Sequence, residues 1–188
     1  AQCFTPDAIM AGQLPSADAV LVYDDDHYYM GGVIAQLLAD SGKAVTLVTP
    51  GPEVSCWTQN TMEQHRIEKA LLDRGVTLIA KHTLSGVASD SVSFACNTTD
   101  RALSIEAPGL VMVTLRAPMS SLYFSLAGEA QEQIDELPFG LLRIGDCMAP
   151  NTIAAAVYDG HRAAREMDNW PDPDIVPFKR EQSVIDRL

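Results

Sequence analysis

The chain has 188 residues, 47% of them hydrophobic, and its 25 acids against 13 bases leave a net charge of −12. That is one domain, or one domain and part of another, with apolar residues enough for a full core and no composition that argues for disorder. The charge repels phosphates and speaks against nucleic acid as a partner, and no run approaches the roughly 20 apolar residues of a membrane helix.

Residues 1–18 contain Pro6, Gly12 and Pro15 and read as an entry linker. Ala19 to Tyr23 is a short apolar run, as in a strand buried on both faces, and it stops at Asp24-Asp25-Asp26. Residues 30–41 read as a helix closed by Gly42, and Ala44 to Thr49 as a second buried strand ended by Pro50-Gly51-Pro52. Strand, loop, helix and strand within so short a stretch make a βαβ unit with a parallel pair. Thr61 to Arg74 is amphipathic, with Ile67, Leu71 and Leu72 at helical spacing and Gly75 as its cap. Val76 to Ala80 follows as a strand. Val92–Cys96 and Ala102–Glu106 read as a hairpin laid over the core, and Leu110 to Thr114 as another buried strand. Residues 119–137 read as helical, Leu141 to Ile144 as one more strand, and Thr152 to Met167 as a long helix. The tail, with Pro171, Pro173 and Pro177, is expected to be extended. The fold class is α/β: a doubly wound, Rossmann-like three-layer parallel sheet with a β-hairpin or meander. No internal repeat is present.

Cys3, Cys56, Cys96 and Cys147 are far apart and form no CxxC pair. They predict neither a disulfide framework nor a zinc or iron–sulfur site, but reduced, mostly buried thiols in a cytoplasmic protein. The chain opens at Ala1, as a processed or excised product does, or one whose start methionine was trimmed. The first ten residues lack the basic and apolar segments of a signal peptide.

The loop after the first buried strand is the position of a GxGxxG dinucleotide fingerprint. Its three glycine positions fall at Asp24, Asp26 and Tyr29. Carboxylates there oppose a diphosphate, by about 4 kcal/mol per pair at about 4 Å near a protein surface. Tyr29 adds bulk where the helix should approach, and Gly31 and Gly32 come too late to restore the pattern. The next strand ends Val48-Thr49-Pro50, with neither the acid of an NAD site nor the base of an NADP site. Ordinary nicotinamide binding is not expected. The acidic loop suits a hard cation or, more commonly, a solvated cap, and no metal site is assigned. His27, Tyr28 and Tyr29 read as packing the loop onto its own domain, and Trp57 as a core anchor. His65, His82 and His161 read as surface histidines, without a cysteine or serine at dyad spacing.

Ile144-Gly145-Asp146 at a strand end, with a helix beginning near Thr152, aims free N–H groups at an anion. The candidate cofactor-binding residues are Gly145, Asp146, Thr152 and Ile153. Asp146 accepts from ribose or ribityl hydroxyls in this reading, or merely caps the helix region. No catalytic residue is assigned. Strand, Gly-Asp, loop and alanine-rich helix in that order resemble the last strand of the flavin domain in glutathione-reductase-like flavoproteins.

The segments VLVYDDDHYYMGGVIAQLLADSGKAVTLVTPGPEVSCWT, RIGDCMAPNTIAAAVYDGHRAAREM and VPFKRE together resemble the C-terminal third of the trimethylamine, dimethylamine and histamine dehydrogenases. The 2,4-dienoyl-CoA reductases are more distant relatives. The resemblance runs from Ala19 to Glu181, and it includes the missing glycine fingerprint. It implies an N-terminal barrel with FMN, a 4Fe-4S cluster and the amine site, followed by a flavin-domain-like module that holds ADP and carries a nicotinamide-domain-like insertion. Residues 19–118 would be that insertion with its degenerate fingerprint, 119–170 the returning strand and helix of the flavin-like module, and 171–188 an extended tail. Leu115 before Arg116 replaces the glycine of the glycine–arginine pair common in the reductases. The chain itself would hold no cofactor. Its partners would be the barrel and flavin-like module of the same polypeptide, then an electron-transfer flavoprotein, in an enzyme that is a homodimer. The rivals are the nicotinamide domain of a dienoyl-CoA reductase and a free-standing interaction module.

Overall fold

The structure, a computed structural model, describes residues 1–99, 101–128 and 137–167. It divides into two compact units, residues 1–115 and 116–188. The larger is built on five parallel strands: β1 (Gln2–Phe4), β2 (Ala19–Asp24), β3 (Ala44–Val48), β4 (Thr77–Ile79) and β8 (Gly109–Val113), in the order β1-β8-β2-β3-β4. From β2 the chain winds through β3 to β4 in one direction, then returns to β8 on the other side of β2, where β8 fills the place between β2 and the N-terminal strand β1. The order therefore reverses between β2 and β8, where Asp24 lies opposite Val113 and the Asp25 N–H donates to the Val113 carbonyl at 2.8 Å. Open α/β sheets place ligands at the carboxyl ends of strands at such a reversal.

Residues alternate across the sheet with the strand period of two. Val20, Val22, Val45, Leu47, Val111 and Val113 form one cluster with Ile9, Ile34, Leu38 and Leu71. Those come from the helices α1 (Pro6–Met10), α2 (Met30–Asp40) and α3 (Gln64–Leu72). Leu21, Tyr23, Val48 and Leu110 point the other way, onto Val92 and Phe94. That face is covered by an antiparallel meander of β5 (His82–Val87), β6 (Ser91–Cys96) and β7 (Ala102–Glu106). The three layers are thus helix, parallel sheet and meander, where double winding would have put helices on both faces. The ring of Phe94 is fully buried, 6.0 Å from that of Tyr23. Gly42, at φ +82°, ends α2 as expected: the Lys43 N–H closes back on the Leu38 carbonyl at 3.1 Å, the six-residue ring that a left-handed glycine permits.

Three expectations are corrected. Residues 1–18 are no linker: Gln2, Cys3 and Phe4 pair with Gly109, Leu110 and Val111 as an edge strand, and Thr5 caps α1 by accepting from the Ala8 N–H at 3.2 Å. Three residues are too few to show a period, and pairing is decided by the distant β8. The expected hairpin gains a third strand, β5, whose Leu84–Gly86 bulge breaks its alternation. Leu141 to Ile144 form no strand. Ile144 is extended, at φ −138° and ψ 160°, but a strand is defined by a paired neighbour, and no described residue pairs with it.

Among the described residues, the smaller unit contains α4 (Ser121–Ala127), a 3-10 turn at Gly145–Cys147 and α5 (Ile153–Glu166). Arg143 lies over the rings of Tyr123 and Phe124, at 4.6 Å and 4.9 Å. No residue of α5 is buried, and Leu122, Phe139, Leu142, Ile153, Val157 and Tyr158 are exposed. The expected helix over residues 119–137 is found as far as Ala127, and its continuation through 129–136 lies outside the described residues, as do the tail and VPFKRE. Among the described residues no helix is long and apolar enough to cross a membrane.

Candidate functional site

The loop from Asp24 to Tyr29 is a closed, internally bonded corner. Asp24, the last residue of β2, is fully buried. Its Oδ1 accepts from the backbone N–H of Asp26 at 3.2 Å and of His27 at 3.3 Å, while Oδ2 is buried without a partner. Burial is the main cause that pushes its pKa up to about 6, partly offset by the two N–H donors. Directly above is α2: a Cβ placed on Gly31 would lie 2.3 Å from Asp24 Cγ. Gly31 therefore performs the close helix-to-strand packing of the third fingerprint glycine, although it stands later in the chain. Gly32 packs α2 instead against Ile67 of α3 and Ser55.

His27 adopts φ +62°, the left-handed region that non-glycine residues rarely enter. Its ring turns over the end of β3, with Nδ1 3.4 Å from the Thr49 hydroxyl and Nε2 3.4 Å from Asp25 Oδ1. The His27 carbonyl accepts from the Trp57 N–H at 3.0 Å, and the two rings are 6.2 Å apart. Tyr29, at the start of α2, accepts or donates a hydrogen bond with Thr61 at 3.0 Å and donates a short one to Glu63. His27 and Tyr29 thus pack the loop onto its own domain, as expected. Trp57 does not enter the core: it is 59% exposed, because its 3-10 turn (Cys56–Thr61) buries Thr58 instead.

None of the four cysteines is buried; Cys3 is exposed and the rest are intermediate. Among the described residues no group of three or more histidine, cysteine or acidic side chains is placed to hold a metal ion. Cys96 stands opposite His82 in the β5–β6 register. A hydrogen bond from Thr99, helped by the N–H groups of Thr98 and Thr99, lowers its thiol to about 7. Burial and the charges of Glu53 and Asp24 raise that of Cys56. Nothing in the spacing of the cysteines distinguishes these two; the turn after β6, which brings Thr98 and Thr99 onto the Cys96 thiol, does.

In the smaller unit the four residues singled out from the sequence lie together. Gly145 is left-handed at φ +57° and sits against α5, where a Cβ would lie 3.5 Å from that of Ala156. Its N–H donates to Asp159 Oδ2 at 3.2 Å. Asp146 Oδ1 accepts from the Asn151 N–H at 3.3 Å, and Asn151 Oδ1 in turn accepts from the Thr152 N–H at 2.7 Å. Asn151, unmarked in the sequence reading, is the residue that links Asp146 to the helix start. Thr152 caps α5 without a side-chain bond, and Ile153 is exposed.

The comparisons with known proteins agree over nearly the whole chain. The family described as the OYE-like second alpha/beta domain matches residues 4–101. Dimethylamine dehydrogenase of Hyphomicrobium sp. (strain x) is 24% identical over 95% of this chain. Among solved structures, histamine dehydrogenase from Rhizobium sp. 4-9 is 40% identical over 95% of the chain, with a TM-score of 0.83. The 6-hydroxypseudooxynicotine amine oxidase of Pseudomonas geniculata N1 is 33% identical over 86%, with a TM-score of 0.76. A 2-naphthoyl-CoA reductase, 19% identical with a TM-score of 0.65, shares the fold. The chain spans 26% of the dimethylamine dehydrogenase and 28% of the histamine dehydrogenase. Sheet order, meander and family profile converge, and the chain belongs to the OYE-like second alpha/beta domain family.

Proposed function

We propose that this chain is the nucleotide-binding-type scaffold of a longer flavin-dependent amine dehydrogenase, and that it contributes structure and no catalytic group. The observation that carries the reading is the 40% identity to histamine dehydrogenase over 95% of the chain. The self-bonded loop at Asp24–Tyr29 supports it, because its N–H groups are turned inward onto Asp24. The uncovered side chains of α5 fit an element whose neighbours belong to another part of a longer polypeptide. FMN and a 4Fe-4S cluster would be held by an N-terminal barrel of the longer polypeptide. Electrons would leave to an electron-transfer flavoprotein from a cytoplasmic homodimer.

ADP is a group that described residues of this chain fit. Gly145 brings backbone close to α5 without a Cβ, and the first turn of α5 offers N–H donors and a positive dipole end. Asp146 Oδ2 is proposed to accept from a ribose hydroxyl, while Oδ1 stays on the Asn151 N–H.

The test uses the full-length polypeptide. Amines should reduce an artificial electron acceptor without added NAD(P)+. NADPH-dependent reduction of an enoyl-CoA in place of amine oxidation would reject the proposal. In the same protein Asp146→Ala should weaken ADP retention by about 10- to 150-fold, the value of a charge-assisted hydrogen bond. Equal retention of ADP by both proteins would leave Asp146 a loop-capping residue only.

A further inference from the structure

A dinucleotide at the head of a βαβ unit needs three things: free N–H groups in the first loop, room for its diphosphate beneath the helix start, and a ribose partner at the end of the next strand. Each of these is already taken by a side chain of the protein. The N–H groups of Asp26 and His27 both end on Asp24 Oδ1. The space under the first turn of α2 holds the Asp24 carboxyl group, wedged so closely against Gly31 that no Cβ fits there. Thr49, at the end of β3 and fully buried, is contacted by the imidazole of His27. That ring is seated over Gly51, where a Cβ would come within 3.1 Å of Nδ1.

Neither occupant sits there at low cost. Asp24 keeps one oxygen buried and unpartnered, an arrangement that burial penalises unless something else requires it. His27 holds a left-handed backbone, which a residue with a Cβ adopts only at a cost. It is held there by Asp25 on one ring nitrogen, Thr49 on the other and Trp57 on its carbonyl.

We infer that the nucleotide crevice of residues 1–115 is closed by the chain itself, Asp24 standing in the diphosphate position and His27 in the ribose position. This goes further than a loss of glycines: the crevice is filled. It rests on the reading of the unit as a nicotinamide-free scaffold, and it predicts that removing the two occupants restores nucleotide affinity.

The unaltered chain, His27→Gly and the double variant Asp24→Gly/His27→Gly are titrated calorimetrically with AMP, ADP and NADH, after thermal melts establish that each is folded. The double variant should bind ADP at least about tenfold more tightly than the unaltered chain, a gain of about 1.4 kcal/mol. If it does not fold, His27→Gly decides, because glycine takes the left-handed conformation without strain and the variant should fold. Its AMP affinity should rise at least about threefold. Folded variants with no gain would overturn the inference and leave the scaffold reading standing. Micromolar NADH binding by the unaltered chain would overturn both.

Discussion

Asp24 concentrates the electrostatics of the larger unit in one carboxyl group. An ordinary aspartate titrates near 3.9, whereas burial raises Asp24 to about 6. The folded state therefore binds the proton more tightly than the unfolded chain. The stability it contributes is fully present below about pH 4 and is lost as pH rises through about 6, to a total of about 3 kcal/mol. Asp24→Asn keeps an oxygen for the two N–H donors and removes the charge. Denaturant melts from pH 4 to 8 should show the variant more stable than the unaltered chain at pH 8, by about 1–3 kcal/mol, with a flatter profile between pH 4 and 7. Identical slopes in the two proteins would place the charge elsewhere. A second residue-scale difference separates the thiols. Cys96 is lowered to about 7 and Cys56 is raised, and only the thiolate is nucleophilic. Iodoacetamide at pH 7.5, followed by peptide mapping, should label Cys96 well before Cys56; the reverse order would contradict the hydrogen bond from Thr99.

At the scale of elements, the approach of α2 to β2 depends on one pair, Gly31 and the carboxyl group of Asp24. Gly31→Ala forces one of them to move, and overpacking of this kind costs about 1–3 kcal/mol. The damage should be specific to the pair. In an Asp24→Gly background, which removes the Asp24 Cβ that would otherwise lie 2.7 Å away as well as the carboxyl group, the same substitution should cost little, and a double-mutant cycle should return a coupling of about 0.5–3 kcal/mol. Equal midpoint shifts in both backgrounds would mean that the helix is held off the strand by something other than Asp24. The meander is the other decisive element. It covers the sheet face formed by Leu21, Tyr23, Val48 and Leu110, and so replaces a helical layer with three short strands.

Across the whole chain, cores are unequally complete. The larger unit has two buried clusters, one on each face of its sheet. In the smaller unit no residue of α5 is fully buried, and Ile153 and Tyr158 are 85% and 59% exposed. Helices in water draw most of their stability from packing. Hydrogen exchange on the isolated chain should thus find the amides of α5 exchanging orders of magnitude faster than those of β2. In the full-length protein the α5 amides should become protected. Protection of α5 equal to that of β2 in the isolated chain would show that the helix needs no further neighbour.

Local pattern was enough to read the parallel strands β2, β3 and β8, the helices α2 and α5, and the caps at Gly42 and Gly75. Each is a run whose apolar period or terminal glycine is written within a few residues. The same holds for the loss of the fingerprint at Asp24, Asp26 and Tyr29, since glycine has no substitute at a backbone approach to phosphate. Tertiary structure alone decided the rest. Gln2–Phe4 became a strand because β8, more than a hundred residues away, offers a free edge. Leu141 to Ile144, equally apolar, did not, because no described neighbour pairs with them. Trp57 stayed outside because Thr58 took the inward position. Gly31 recovered a packing role that its spacing had denied it, and the carboxyl of Asp24, which the sequence shows only as a misplaced charge, proved to be buried beneath it. Period and propensity are properties of neighbouring residues, whereas pairing, burial and the occupation of a crevice depend on what the rest of the chain brings to the same place.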